Sequence, residues 1–228
     1  MSQQLRRAVF LAVVIIAATV GLERSFVAQT DPWAAEMAAF EQQDRRTPPR
    51  PGGIVFVGSS SIRGWDLNRY FPEYASKMQV MNRGFGGSEI ADSVRHADLL
   101  VLRHKPRTVV FYAGDNDLAR GKTPKQVTAD YRAFVAKVHA ALPGTRIAFI
   151  GIKPSILRWE LIGEMREANA LIREFCEGDD RLGFIDTDGP MLGWDETPRK
   201  DLFVGDGLHL TPKGYELWTV LVRPFLEG

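Results

Sequence analysis

The sequence contains little cysteine, almost no net charge and few long apolar runs, and each of these features excludes a class of protein. Cys176 is the one cysteine among 228 residues, so an intramolecular disulfide and a zinc site built on several thiolates are both excluded. The 29 Lys and Arg stand against 28 Asp and Glu, a formal charge of +1, whereas binding to a phosphate backbone needs a basic excess. We therefore expect no nucleic-acid partner. Hydrophobic residues at 45% and charged residues at 25% are typical of a soluble globular protein with one large domain or two small ones.

The longest apolar run lies close to the N-terminus. Arg6 and Arg7 precede an uncharged stretch of 15 residues, Ala8–Leu22, which is the order of regions in a signal peptide. A helix of this length falls short of the roughly 20 residues that span a bilayer, but spans of about 17 occur, so a retained anchor stays open. A buried core helix is disfavoured, because runs that are apolar on every face belong inside large proteins or membranes. We expect residues 1–28 to be a signal peptide or N-terminal anchor, and the protein to be exported, periplasmic or secreted, or tethered to the membrane by this segment.

A short helix and a stiff connector are predicted after this segment. Asp31 and Pro32 form a helix start signal, an N-cap followed by proline at the first helical position. The apolar residues that then recur at helical spacing are Trp33, Met37 and Phe40. Residues 47–53 read Thr-Pro-Pro-Arg-Pro-Gly-Gly, which cannot continue a helix. We therefore divide the chain into this helix and proline-rich linker, residues 29–52, and a main domain, residues 53–228.

Apolar runs of strand length alternate with longer stretches of helical period throughout the main domain. The predicted strands are Ile54–Val57, Gln79–Asn82, Thr108–Ala113, Arg146–Ile152 and Leu182–Ile185. The predicted helices lie near Ser88–His104 and over Thr123–Leu142, Leu161–Glu177 and Thr211–Leu226. Strands that are apolar throughout suit a parallel sheet covered on both faces. The pattern therefore predicts an α/β fold with three layers, α/β/α, around a five-stranded parallel sheet.

Four segments with chemistry-bearing residues follow predicted strands or precede the last helix. They are Gly58-Ser59-Ser60-Ser61, Asn82 to Ser88, Gly114-Asp115-Asn116-Asp117 and Gly205 to His209. Ligands of a parallel α/β sheet bind beyond the carboxyl ends of its strands, so these residues can meet at one edge. Each signal alone is weak, since a serine at such a turn is usually an N-cap and a glycine cluster usually marks a tight turn. A dinucleotide site is disfavoured, because the Gly-x-Gly-x-x-Gly pattern would need glycine where Glu89 stands.

The combination of the four segments is more specific than any one of them. Acyl transfer needs a hydroxyl nucleophile, a base, a group that orients the base and donors for the oxyanion, and the segments supply each. In this combination the chain resembles the SGNH (GDSL-type) hydrolases, a family that includes esterases, thioesterase/lysophospholipases and platelet-activating-factor acetylhydrolase-like enzymes. The resemblance runs from about Ile54 to Leu221. It implies a flavodoxin-like SGNH hydrolase fold with a catalytic triad and an oxyanion hole.

The first segment carries the nucleophile that the resemblance implies. Phe56-Val57-Gly58-Ser59-Ser60 looks like the family's Gly-Asp-Ser segment, which assigns the nucleophile to Ser60. Ser59 stands where the family usually has Asp, so the register among three adjacent serines is open and Ser61 is the next candidate.

The other three segments carry the remaining roles that the resemblance implies. Gly87 matches the glycine whose backbone N–H faces the oxyanion, and Asn116 matches the asparagine of Gly-x-Asn-Asp, a side-chain oxyanion donor. Asp206-Gly207-Leu208-His209 matches Asp-x-x-His, with His209 as base and Asp206 as its orienting carboxylate. Histidine suits the role of base, because imidazole titrates near neutral pH. For Asn116 the alternative is an Asx turn that holds the loop after the third strand.

Other polar and aromatic residues compete for these roles or extend the site. Asp186, at the end of the last strand, is a rival orienting carboxylate. The remaining histidines, which fall in predicted helices where we expect a surface role, are His96, His104 and His139. The candidates for lining a pocket are Arg63, Trp65, Lys153-Pro154-Ser155 and Trp194. No metal-binding motif is present in the sequence, so neither a metal nor another cofactor is implied.

The sequence therefore favours a serine hydrolase that cleaves carboxylic esters through an acyl-enzyme intermediate. The substrate class stays open among acetyl or short acyl esters of glycans, lipids or small molecules, and the resemblance also allows thioesters and acyl transfer to sugars. The oligomeric state stays open as well. A hypothesis of another class is a ligand-binding module of the cell envelope that keeps the fold without activity. The complete set of site residues argues against it, since a decayed site would have lost a member. A nucleotide-dependent oxidoreductase is disfavoured by the broken glycine pattern.

Overall fold

Short runs of β-branched and aromatic residues form a parallel sheet in the computed structural model, which describes residues 31–227. The strands are β1 (Ile54–Gly58), β2 (Val80–Gly84), β3 (Thr108–Tyr112), β4 (Arg146–Ile150) and β5 (Leu182–Ile185). Their order in the sheet is β2-β1-β3-β4-β5, and every pairing is parallel. This is the flavodoxin-type order, in which the chain reverses direction across the sheet beside β1. The predicted fold class and strand number are confirmed.

The register of β1 with its two neighbours determines where the site can form. Gly58, the last residue of β1, is level with Gly84 of β2 and with Tyr112 of β3. All residues of β1 and β3 are buried, as expected for strands covered on both faces. The loops that leave β1, β2 and β3 therefore start side by side at one edge.

Helices cover both faces of the sheet. They are α1 (Ala34–Arg46), α2 (Ser60–Arg63), α3 (Leu67–Tyr70), α4 (Pro72–Ala75), α5 (Ile90–Arg95), α6 (Ala97–Leu100), α7 (Asp115–Ala119), α8 (Pro124–Ala141), α9 (Ile162–Glu177), α10 (Asp188–Met191) and α11 (Pro212–Glu227). Single 3₁₀ turns span Leu102–His104, Trp159–Leu161 and Lys200–Leu202. The start of α8 follows its sequence signal, since the side chains of Thr123 and Gln126 form a reciprocal capping box. None of the helices in residues 31–227 is long and apolar enough to cross a membrane.

The other strands and long helices begin and end within two residues of the prediction, and two differences have an identifiable cause. The single helix expected near Ser88–His104 is broken into α5, α6 and the Leu102–His104 turn, because the backbone leaves the helical region at His96 and again at Val101. Strand β4 ends at Ile150 and not at Ile152. The N–H and C=O of Ile152 pair with the side-chain amide of Asn169 in α9, at 2.7 and 2.9 Å, and so are not available to a neighbouring strand.

Aromatic side chains fill the core on both faces of the sheet. On one face Trp65 packs against Phe56, Phe71, Tyr215 and Trp218, with ring centroids 5.3–5.7 Å apart. On the other, Phe111 of β3 contacts Tyr131 and Phe134 of α8 and Phe149 of β4. Such large buried rings contribute most of the apolar area that stabilises a domain of this size. Trp65 thus belongs to the core, and the cavity that it helps to line also contains Asn82 and Arg83 but not Ser60 or His209.

Helix α1 lies against strand β2 through a buried ion pair. Its Asp44 carboxylate accepts a hydrogen bond from the guanidinium of Arg83, and both side chains are buried. The ring of His104 is fully buried beside them, with Nε2 3.0 Å from the carbonyl oxygen of Leu99 and 3.8 Å from Asp44. Burial lowers the pKa of His104 to about 4, and Arg83 adds to that effect. The expected surface role of His104 is therefore wrong, because its turn folds inward beneath α1.

The predicted signal peptide or anchor, residues 1–28, lies outside the described residues. The proposed boundary at residue 53 stays a prediction.

Candidate active site

Ser60 owes its position to the sharp turn between β1 and α2. Gly58 has φ +140°, and a Cβ at this residue would lie 1.8 Å from the carbonyl oxygen of Tyr112, so only glycine fits. Ser59 follows and donates its N–H to that carbonyl at 2.9 Å. Ser60 then begins α2, with its hydroxyl at the carboxyl edge of the sheet and its N–H in the first turn of a helix, where no intrahelical acceptor exists.

Ser60, His209 and Asp206 form a continuous chain of hydrogen bonds. Nε2 of His209 lies 2.9 Å from Oγ of Ser60, and Nδ1 lies 2.6 Å from Oδ2 of Asp206. The other carboxylate oxygen, Oδ1, accepts the backbone N–H groups of Leu208 and His209 at 2.8 and 2.9 Å. Hydrogen bonding from His209 lowers the pKa of Asp206 to about 2, so the carboxylate is ionised at neutral pH. Gly207, at φ +67°, makes the tight turn that brings Asp206 back to the imidazole.

The alternatives to this arrangement are engaged elsewhere. Ser61 is buried, and its hydroxyl accepts a hydrogen bond from Nζ of Lys153 at 3.2 Å. Asp186 pairs with Arg173 at 2.7 Å on the surface. Nε2 of His139 lies 2.9 Å from the carbonyl oxygen of Thr145. The structure thus brings Ser60 and Asp206, and not Ser61 or Asp186, into contact with His209.

Three hydrogen-bond donors lie at the same edge as Ser60. The N–H groups of Ser60 and Gly87 have no hydrogen-bond acceptor among residues 31–227. Gly87 has φ +72°, a conformation that favours glycine. Nδ2 of Asn116 donates one hydrogen to the carbonyl oxygen of Ser88 at 2.9 Å, and since an amide nitrogen carries two hydrogens, one remains. The loops after β1, β2 and β3 therefore place the predicted donors at one edge of the sheet, with Asn116 in contact with Ser88, the residue after Gly87.

A buried group of charges lies behind Asn116. Lys153, which has no exposed surface, donates to Asp115 at 3.1 Å and to the hydroxyl of Tyr112 at 2.9 Å. Arg158 Nη1 lies 3.3 Å from the same Asp115 oxygen, and Nη2 donates to Oδ1 of Asn116 at 2.9 Å. Burial by itself would raise the pKa of Asp115, but Lys153 and Arg158 more than offset it and hold that pKa below its usual range. Burial lowers the pKa of Lys153, and Asp115 only partly offsets this.

These positions correct and extend the predicted pocket lining. Lys153 and Ser155 are buried beneath the site and line no open surface. Arg63 is exposed, with its guanidinium against Gly86, and Trp194 is 98% exposed. Arg158, which sequence reasoning missed, contacts a candidate site residue directly. The available signal was its position in the loop after β4, five residues beyond Lys153, but an isolated arginine in such a loop is usually a surface residue.

Metal ligands are not grouped in the part of the chain that the structure covers. No cluster of three or more His, Cys, Asp or Glu side chains in residues 31–227 could hold a metal ion. The chemistry available from the described residues is that of a hydroxyl beside an imidazole and a carboxylate, with three amide donors nearby.

The fold and this site together define an α/β protein of the hydrolase type. A sequence profile of the GDSL-like Lipase/Acylhydrolase family matches residues 56–217, and the chain belongs to that family. The resemblance drawn from the motifs is therefore confirmed, and at this level the protein is an ester-hydrolysing enzyme.

Solved structures with the same fold are distant in sequence. A GDSL-like lipase from Bacteroides thetaiotaomicron VPI-5482 has a TM-score of 0.70 at 17% identity, over 85% of this chain and 98% of the other. A lipase/acylhydrolase from Enterococcus faecalis has a TM-score of 0.64 at 22% identity, over 78% and 96%. A carbohydrate esterase family 3 protein from Talaromyces cellulolyticus has a TM-score of 0.59 at 18% identity, over 77% and 96%. Comparison with curated proteins gives no significant match.

Proposed function

We propose that the protein is a serine esterase that hydrolyses acetyl or short acyl esters through an acyl-enzyme intermediate. The observation that carries this proposal is the hydrogen-bond chain from Ser60 through His209 to Asp206. A serine hydroxyl is a poor nucleophile until a neighbouring base takes its proton, and a carboxylate on the far side of the imidazole fixes the ring orientation that this requires.

In the first half-reaction Oγ of Ser60 bonds to the ester carbonyl carbon while its proton passes to Nε2 of His209. The carbonyl π electrons move onto oxygen, and the N–H groups of Ser60 and Gly87 and the remaining Nδ2–H of Asn116 stabilise that oxyanion. Collapse of the tetrahedral intermediate breaks the bond to the alcohol, which leaves with the proton from His209. In the second half-reaction water attacks the acyl carbonyl carbon while His209 takes a proton from the water. The bond between the acyl carbon and Oγ of Ser60 then breaks, His209 gives the proton to Oγ, and the carboxylic acid leaves.

We propose that the natural substrates are esters of glycans or lipids outside the cytoplasm. The apolar run Ala8–Leu22 after Arg6 and Arg7 supports export or a membrane tether. A screen of acetylated glycans and of short-chain lipid esters would separate the two classes of substrate.

The test of the reaction is hydrolysis of p-nitrophenyl acetate by the full chain beside Ser60→Ala and Ser61→Ala. These neighbouring serines form a matched pair, since one contacts His209 and the other contacts Lys153. We expect Ser60→Ala to lose turnover and Ser61→Ala to retain most of it. Equal activity of Ser60→Ala and the unmutated chain would overturn the proposal. A folded protein without turnover on any ester would favour a ligand-binding module.

A further inference from the structure

The charged group behind Asn116 has no part in the bond-making steps proposed above. It consists of Lys153, Asp115 and Arg158, and it lies beneath the carboxyl edge of β3 and β4. Lys153 is fully buried and Asp115 nearly so, while Arg158 keeps 16% of its side chain exposed. Burying ions costs desolvation free energy, so the contacts that this group makes with its neighbours are of interest.

Arg158 bridges two consecutive residues of helix α7. Its Nη1 lies 3.3 Å from the carboxylate of Asp115, and its Nη2 donates to the side-chain oxygen of Asn116 at 2.9 Å. The Nη2 contact is a hydrogen bond and the Nη1 contact is an ion pair without hydrogen-bond geometry, and the two together restrict how the planar guanidinium can turn. Nζ of Lys153 contacts the same oxygen of Asp115 at 3.1 Å. The guanidinium therefore has little freedom to turn away from Asn116.

The amide of Asn116 is consequently held at both ends. Its oxygen accepts from Arg158, and its nitrogen donates to the carbonyl oxygen of Ser88. A rotated amide would place NH₂ against the guanidinium and oxygen against the carbonyl of Ser88, so both contacts would become repulsive. One Nδ2–H is left, and its direction is set by the other two bonds. A cation on the amide oxygen also polarises the amide and strengthens Nδ2–H as a donor.

We infer that Arg158 is a positioning residue for the oxyanion donor, acting through Asn116, and that Asp115 and Lys153 hold Arg158 in place. This inference rests on the proposed function, since it concerns the oxyanion of that reaction. Arg158 shares the carboxylate of Asp115 with Lys153 and has no other carboxylate partner among the ion pairs of residues 31–227. Arg158 contacts Asn116, whereas the surface arginine Arg166 pairs with Asp188.

The test is a double-mutant cycle on the full chain with p-nitrophenyl acetate. The variants are Arg158→Met, Asn116→Ala and the two combined, with Arg166→Met as the control for loss of an arginine. We expect Arg158→Met to lower kcat by about ten- to a hundredfold, the range of a hydrogen bond to a charged group, with KM changed less than about twofold. In the Asn116→Ala background the same substitution should lower kcat no further, because its partner is gone. Arg166→Met should leave both constants unchanged.

Arg158→Lys gives a second measurement that does not depend on the methionine variant being folded. It keeps the charge but a lysine lacks the planar fork, so we expect kcat between those of the unmutated chain and Arg158→Met. An unchanged kcat in both Arg158 variants would overturn the inference, as would an equal fold-loss from Arg158→Met with and without Asn116. If the unmutated chain turns over no ester, the proposed function fails and the inference fails with it. Turnover that is lost with Ser60→Ala but does not depend on Arg158 overturns the inference alone.

Discussion

Ser60 and His209 are 149 residues apart in the chain, yet Oγ of one lies 2.9 Å from Nε2 of the other. Ser60 reaches this position because β1 is an interior strand of the sheet that ends at Gly58, and His209 because the loop before α11 turns back at Gly207. Two glycine turns in different parts of the chain therefore position the two partners of this hydrogen bond. The bond contributes little to stability compared with the packing of the sheet, but it permits proton transfer from Ser60 to His209.

Asp206→Asn should lower kcat by roughly 10²–10⁴ with little change in KM. The carboxylate accepts the Nδ1 hydrogen, and an amide there can turn its NH₂ toward the ring and favour the wrong tautomer. Since hydrogen bonding from His209 lowers the pKa of Asp206 to about 2, this carboxylate should stay ionised across the working range. A pH profile of kcat/KM from pH 4 to 9 should accordingly show no step from Asp206. An asparagine variant with unimpaired kcat would show that His209 needs no orienting carboxylate.

Asn116→Ala should lower kcat by about 10²–10³, the usual cost of one oxyanion donor. The substitution removes the free Nδ2–H and also leaves the carbonyl of Ser88 and the guanidinium of Arg158 without this partner. Asn116→Asp is the matched variant, because it keeps the shape but places an anion at the oxyanion, and its kcat should fall at least as far. Steady-state kinetics on p-nitrophenyl acetate measure both. An Asx-turn role alone would predict a loss of stability with kcat nearly intact.

Asp117→Asn should change how stability depends on pH. Burial raises the pKa of Asp117 to about 6, above that of an exposed carboxyl near 4, although Lys122 contacts it at 2.9 Å. The folded state then binds the proton more tightly than the unfolded state, so this group stabilises the fold below about pH 4 and the contribution is lost as the pH rises through 6. Urea unfolding at pH 4.5 and 7.5 should show that the free energy of unfolding falls more with rising pH in the unmutated chain than in Asp117→Asn. An equal fall in both proteins would contradict the raised pKa of Asp117.

Asp44→Asn should destabilise the protein by about 3–5 kcal/mol, since it leaves the buried Arg83 without a carboxylate, and Arg83→Met should cost less, since Arg103 still lies 3.6 Å from Asp44. Both residues are buried between α1 and β2. The control is Glu41→Gln on the same helix, where Glu41 and Arg45 form an exposed pair at 3.9 Å that should be worth less than about 1 kcal/mol. Urea unfolding compares the three. An equal, small effect in all three would mean that α1 contributes little to the stability of the fold.

The sheet and the loops beyond it could be predicted from the sequence because their signals are local. Apolar runs bounded by glycine predicted five strands, and the capping signal at Thr123 and Gln126 placed α8 to within a residue. The motifs that resemble those of the SGNH hydrolases, after three strands and before the last helix, identified Ser60, Asn116 and His209, and the structure places Ser60 against His209. A local pattern determines such elements, and the parallel topology then determines that their carboxyl ends meet.

The buried charges could not be predicted, because their partners are distant in sequence. Lys153 and Arg158 follow β4, whereas the carboxylate that both contact belongs to Asp115 in α7, 38 residues before Lys153. His104 was expected at the surface, since nothing near it in the chain indicates that α1 will cover it. A single sequence shows which residues are polar, but not which of them gain a partner on folding.

The most direct test of the proposed reaction is to trap the acyl-enzyme. The full chain is mixed with p-nitrophenyl acetate, quenched in acid within milliseconds to seconds, digested and examined by mass spectrometry, beside Ser60→Ala. We expect one acetyl group on the peptide that contains Ser60, formed as fast as the first p-nitrophenol is released and absent from Ser60→Ala. If no acetyl group forms on Ser60 and Ser60→Ala still turns over the ester, the proposed mechanism is contradicted.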